Sequence, residues 1–339
     1  MKKILALFTF TTIFSSTIIA LESNILRQDS KLDSAKNQDS NKNSNIEIID
    51  FLGNKSIFQN PAKSHIFLSF CEVIPMLESW DSALGLSQHV FNEPIFKKTN
   101  KNLDSIPKVG GGSGSSLNIE VLKKLNPDVV VVWAGKKKEI NFIRNNGIKI
   151  LAFYPNDINE VFRDINTISK ALGKEDLVKR KMKSTLELLK IVENKTKNLE
   201  HKKSAIYLWD KPNRIAGNKG MIADMLEKIG VINLGGNLNV DSAEISIEKL
   251  ISLNPNIIFI WGAAKFSESD ILNNPQFKNI KAVKNKAVYK MPLWDNWGPR
   301  IAQTTLLSAS LAYKNEYSDI NIDSLIEHSN KDLFGIDVR

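Results

Sequence analysis

The chain has 339 residues, 42% of them hydrophobic, enough to bury a sizeable core, and its length fits two domains better than one. Its formal charge of +9 is spread along helical segments rather than gathered in a block, which argues against a nucleic-acid partner. A lone cysteine, Cys71, excludes an internal disulfide and any thiolate metal cluster, and reads as a small buried residue.

Lys2 and Lys3 precede an uncharged apolar run from Ile4 to Ala20, the layout of a secretory signal over residues 1–21. A membrane anchor is the alternative, because the run is just long enough to span a bilayer and Ile18 spoils the small-x-small cleavage pattern before Ala20. Under both readings the rest of the chain is exported. Cys71 lies far beyond the run, so a soluble periplasmic protein is expected after cleavage, not a lipoprotein. Residues 22–45 are rich in Ser, Asn, Lys, Asp and Gln, cannot repay the entropy of ordering, and read as a disordered tether.

From Ile46 the pattern alternates. Strand-like runs at His65–Phe70, Val129–Trp133 and Lys149–Phe153 are separated by helical periods, which predicts a first α/β lobe over 46–158. Over 159–200 apolar residues recur at three- and four-residue steps (Val161, Ile165, Ile168, Leu172, then Met182, Leu186, Leu189), predicting a connecting helix broken near Gly173. Alternation resumes in a second lobe, 201–339, with strands at Ala205–Trp209, Ile257–Trp261 and Ala287–Met291. The predicted fold is α/β, two Rossmann-like lobes with mainly parallel sheets joined by a long rigid helix. An internal echo supports it: Ile119–Trp133 aligns without a gap to Ile247–Trp261, identical at seven of fifteen positions. In both copies a short helix ends at Leu-Asn-Pro and an apolar strand runs on to a tryptophan.

Ligands in open parallel sheets bind beyond the carboxyl ends of the strands. Trp133, Tyr154, Trp209 and Trp261 each fall at such an end, and Trp294 and Trp297 follow the last strand. Any one of them is equally readable as core; the set points to an aromatic cleft. Lys136, Arg214, Lys219, Lys265 and Arg300 follow these aromatics closely, a combination that suits a planar, anionic or carboxylate-bearing ligand. Of four histidines, His89 alone sits in a loop, as a candidate metal ligand or an ordinary surface residue. No paired His spacing exists for a protein metal cage, so a bound metal would arrive with most of its own ligands. The run Gly110–Ser116 lacks the Gly-Lys-Ser/Thr ending of a phosphate loop, and no serine elbow appears, so no enzyme is expected.

The segments Ser116-Leu-Asn-Ile-Glu through Leu125-Asn-Pro-Asp and its valines, Gly217 to Gly230, Ile232 to Asn237, and Ile280 to Tyr289 together resemble the iron-siderophore, haem and vitamin B12 binding proteins of ABC importers. These are the helical-backbone or class III periplasmic binding proteins, and the resemblance covers roughly residues 46–313. It implies limited closure on binding, a permease dimer with its ATPase as partner, a monomeric carrier and no intrinsic cofactor. It also implies docking through an acidic residue on top of each lobe, by position Glu72 and Glu227, each also readable as an ordinary exposed helix residue. Trp133, Lys136, Lys219 and Lys265 match the family's cleft positions, and His89 lies in the loop that overhangs the ligand. Lysines where several siderophore binders place arginines put a triscatecholate in doubt. The implied cargo is a metal chelate of iron, nickel or cobalt. Haem or cobalamin is the alternative within transport; an exported metal-dependent hydrolase and a surface metal-storage or adhesion module are the alternatives outside it.

Overall fold

The computed structural model describes residues 45–110 and 118–336, so the expected signal segment, the tether up to residue 44 and the glycine-serine run beyond Gly110 lie outside the described residues. The first lobe opens with an antiparallel hairpin, β1 (Ile46–Ile49) and β2 (Lys55–Phe58), that the sequence pattern does not announce. Its main sheet is wholly parallel, in the order β4-β3-β5-β6, from β3 (His65–Phe67), β4 (Ala83–Leu86), β5 (Val129–Trp133) and β6 (Ile150–Phe153). Strand β3 ends three residues short of the expected Phe70, which takes a left-handed φ of 56° and turns the chain into the short helix α1 (Val73–Met76).

The helices of this lobe are α2 (Pro94–Thr99), α3 (Ile119–Leu125), α4 (Lys137–Asn145) and α5 (Ile158–Ala171). After α5 the chain turns at Gly173, whose φ of 64° costs glycine little, and enters α6 (Glu175–Thr196). The helical run over 159–200 is thus two elements. Helix α5 packs on the first lobe against β1, while the 22-residue α6 forms the spine.

The second lobe includes β7 (Ser204–Leu208), β8 (Arg214–Ala216), α7 (Gly220–Lys228), β9 (Ile232–Asn233), β10 (Ser242–Glu244), α8 (Ile247–Leu253), β11 (Ile257–Ile260) and β12 (Val288–Lys290), with two short helices, Glu268–Leu272 and Lys281–Lys284, between the last two strands. The order is β10-β8-β7-β11-β12; β7, β11 and β12 are parallel, β9 joins β7 in parallel, and the β8 and β10 edge is antiparallel. Helices α9 (Ile301–Ala312) and α10 (Ile322–Phe334) then run back along α6, and α10 also meets α1 of the first lobe.

The internal repeat is structural. Asn118 caps α3 and Ser246 caps α8 through their side chains, and each helix stops on an asparagine in the left-handed region, Asn126 at φ 47° and Asn254 at φ 45°. Asparagine tolerates that conformation better than other side chains bearing a Cβ, and the proline that follows cannot continue the helix.

Strand parity then assigns each side chain a face. Val129, Val131, Leu151 and Phe153 pack with Ala205, Tyr207, Ile257 and Phe259 and with the spine residues Met182, Leu186 and Leu189 in one continuous core. The alternate residues, Val130 and Val132 in one lobe and Ile206 and Ile258 in the other, fill separate outer cores. A single inner core therefore runs from lobe to lobe through α6, so the two sheets cannot shift relative to the spine without opening packed apolar contacts.

Candidate ligand-binding site

The same parity directs the strand-end tryptophans. Trp133 continues the inner face of Val129 and Val131, Trp209 that of Ala205 and Tyr207, and Trp261 that of Ile257 and Phe259. All three are half-buried. Trp297 joins them across the lobes: its ring lies 5.3 Å from Trp133 edge to face and 6.1 Å from Trp209 in a stack tilted by 12°. Trp209 meets Trp261 at 5.7 Å, and Trp133 meets Tyr154 at 4.7 Å. Trp133, Tyr154, Trp209, Trp261 and Trp297 thus form one chain of ring contacts between the lobes, each pair worth about 0.5–1.5 kcal/mol beyond its buried area. Trp209 Nε1 is buried and has no hydrogen-bond partner among the described residues.

Polar bridges flank the rings. Tyr154 Oη donates to Asp241 Oδ2 at 3.0 Å, joining the end of β6 to the loop before β10, and the Ile158 N–H donates to Asp224 on α7 at 3.0 Å. A third bridge involves a buried pair, Glu72 at 1% exposure and Arg300 at 3%. Arg300 Nε donates to both Glu72 carboxylate oxygens at 3.0 Å, Nη2 adds a further bond, and the Asp295 N–H donates to Glu72 Oε1 at 3.0 Å.

This pairing corrects two expectations. Glu72 does not stand on top of the first lobe as a docking carboxylate; its place just before α1 turns it inward onto the returning C-terminal segment. Arg300 does not offer a free cation to an anionic ligand, since Glu72 takes its guanidinium, which also lies 5.5 Å over the Trp294 ring. Two other expected cations are already paired: Arg214 with Asp210 at 3.3 Å and Lys136 with Glu139 at 3.6 Å. Lys219 and Lys265 are exposed, and Glu227 is exposed on α7.

His89 is exposed in a 3-10 turn after β4, its Nδ1 2.7 Å from Ser87 Oγ. A metal at Nε2 requires the tautomer in which Nδ1–H donates to Ser87, and that bond fixes the ring. Partial loss of hydration lowers the His89 pKa, partly offset by the charge of Glu72. Two further carboxyls cluster with Glu72. Burial, reinforced by Glu72, pushes Asp295 up to about 7, and burial with Glu72 and Asp295 pushes Glu93 up to about 8. No group of three His, Cys, Asp or Glu side chains able to hold a metal ion occurs among the described residues. His89 can supply one ligand atom, not a cage.

Sequence reasoning missed Glu93, Asp295, Asp241 and Ser87. Asp295 carried a signal, a carboxylate set between two tryptophans just ahead of an arginine in Trp294-Asp-Asn-Trp-Gly-Pro-Arg300. The pairing of Tyr154 with Asp241 spans 87 residues and left no local trace.

A family model described as periplasmic binding protein matches residues 71–293. CeuE from Helicobacter pylori, solved as a Ni-His complex, is 34% identical, with 86% of this chain and 96% of that chain covered at a TM-score of 0.79. The Fe(3+)-citrate-binding protein YfmC of Bacillus subtilis is 25% identical over 189 residues, 55% of this chain but only 60% of that relative's length. The molybdate-binding protein MolA of Haemophilus influenzae, at 17% identity and a TM-score of 0.74 over 86% of this chain and 99% of that one, shares the fold. No helix of the described residues is long and apolar enough to cross a membrane. With the family model spanning well over half of the sequence, the chain belongs to the periplasmic binding protein family, whose members are the substrate-binding proteins of ABC importers and not enzymes.

Proposed function

We propose that the chain captures a small chelate of nickel, cobalt or iron outside the inner membrane, holds it between the lobes, and hands it to an ABC permease and its ATPase. The reading is carried by one observation, the chain of indoles that runs from Trp133 through Trp297 and Trp209 to Trp261 across the lobes. Aromatic walls desolvate a planar chelate, and the unpartnered Trp209 N–H calls for an acceptor such as a ligand carboxylate, since an unpaired buried donor costs about 1–3 kcal/mol. The likeness to CeuE in its Ni-His complex favours nickel held by histidine-type ligands, with His89 completing the metal's coordination. Lys219 and Lys265, both exposed, would meet the chelator's carboxylates. Glu227 is the proposed docking carboxylate of the second lobe. Residues 1–21 would direct export, and the mature protein would be a soluble periplasmic monomer without a lipid anchor.

Titration of the purified protein with nickel(II) bis-histidine, ferric citrate and haem, followed by tryptophan fluorescence, tests the cargo. Saturable quenching by the nickel complex is expected, with affinity weakened about tenfold or more in His89→Ala, equivalent to about 1.4 kcal/mol. Quenching by haem alone would move the assignment to the haem branch.

A further inference from the structure

The chain between β12 and α9, residues 291–300, contains neither helix nor strand, yet it carries Trp297 to the junction of the two lobes. Glu72 grips this segment at two points five residues apart, accepting from the Asp295 N–H and from the Arg300 guanidinium. Between those points the Trp297 N–H donates to Asp295 Oδ1 at 2.9 Å, which closes a tight loop with the indole projecting from it. The packing is tight at Gly298: a Cβ there would lie 3.2 Å from both Glu72 Oε2 and the Asp295 Cβ, so these neighbours would have to give by a few tenths of an ångström. Beneath the loop, Arg300 is over Trp294.

We propose that Glu72 is a positioning residue for the ligand crevice: through Asp295 and Arg300 it ties the 294–300 loop to the first lobe and so fixes Trp297 against Trp133, as a stationary floor that the second lobe's Trp209 meets. The inference rests on the reading of the crevice as the ligand site. Its physical content does not, because the geometry of the indoles exists without ligand. The arrangement also accounts for a buried ion pair where an apolar pair would serve stability equally well; replacing such pairs by apolar residues is often neutral or stabilising, so its retention fits a geometric duty. Glu72 supplies two acceptor oxygens to three donors on one segment, which no apolar side chain can imitate.

The test is the double variant Glu72→Met/Arg300→Met, which removes both charges without stranding either. Two readouts apply: the exciton couplet that closely spaced indoles give in the circular dichroism spectrum, and the affinity for nickel(II) bis-histidine. Trp297→Phe identifies the part of the couplet that belongs to Trp297. The double variant is expected to fold, to lose that same part of the couplet, and to bind the nickel complex about tenfold more weakly. Should it fold with the wild-type couplet and wild-type affinity, Glu72 is a stability residue and the proposal is overturned. Gly298→Ala gives the same readouts if the double variant does not fold, because it presses a methyl on the Glu72 carboxylate while leaving every charge in place; an unchanged couplet there is equally fatal. If the wild-type protein binds no nickel complex, the cargo assignment fails while the couplet still decides the role of Glu72.

Discussion

Asp295 and Glu93 show how far two partly buried carboxyls can set the response of the protein to pH. Both carboxyls titrate above their ordinary range, at about 7 and about 8, chiefly because they are withdrawn from water and secondarily because Glu72 is charged beside them. In the unfolded chain they would titrate near pH 4. Between those limits the native state holds more protons than the unfolded state, so stability falls as pH rises. His65 works the other way: buried and lowered to about 4, it adds stability as pH rises toward 6.5. The two effects oppose each other in acid and separate above it. From pH 6.5 to 8 the carboxyls act alone among these groups, and the melting temperature should decline across that window. Asp295→Asn keeps the oxygen that accepts from Trp297 and removes the titration, so thermal unfolding of that variant over the same window should show a shallower decline. A slope equal to the wild-type slope would assign the effect elsewhere.

At the scale of elements the internal repeat offers a controlled comparison. Helices α3 and α8 both end on a left-handed asparagine, Asn126 and Asn254. Glycine adopts that conformation with less cost, by about 0.5–1 kcal/mol, so Asn126→Gly should stabilise the protein by a few tenths to about 1 kcal/mol in urea unfolding. Asn254 does more than end its helix, because its Oδ1 accepts from the Lys281 N–H at 2.9 Å. Asn254→Gly gives up that bond, worth about 1 kcal/mol, and should therefore be neutral or destabilising. Equal gains at both sites would show that the Lys281 bond contributes nothing. The repeat was legible in sequence because helix stop, proline and apolar strand are all local signals, and so was the line of strand-end tryptophans, whose face follows from pleat parity. The hairpin β1–β2 was not legible, since Glu47, Ile49, Lys55 and Ile57 face solvent and blur any alternation against a core. Nor were the inward turn of Glu72 and its capture of Arg300, 228 residues away, because a charged residue before a short helix has the same local appearance whether it faces water or a distant cation.

For the molecule as a whole the decisive feature is the inner core that passes without interruption from the first sheet through α6 to the second. Two lobes joined by a linker would unfold separately and swing freely. Here Leu186 and Leu189 of the spine share a cluster with Phe153 of one lobe and Tyr207 of the other, α9 and α10 brace α6 along its length, and α10 reaches α1. Opening the crevice widely would part Trp297 from Trp209 and expose part of this cluster, at a cost of about 2–5 kcal/mol for each core residue stripped of its packing. Motion on ligand capture is thereby confined to side chains and small tilts, and affinity follows from preorganisation of the crevice. Calorimetry should accordingly record one unfolding transition whose calorimetric and van't Hoff enthalpies agree, instead of two resolved by lobe. The same constraint governs the loaded state: small-angle scattering with and without nickel(II) bis-histidine should give nearly equal radii of gyration. Two calorimetric transitions, or a clear compaction on loading, would mean that the spine is a hinge and that the shared core yields far more easily than its packing implies.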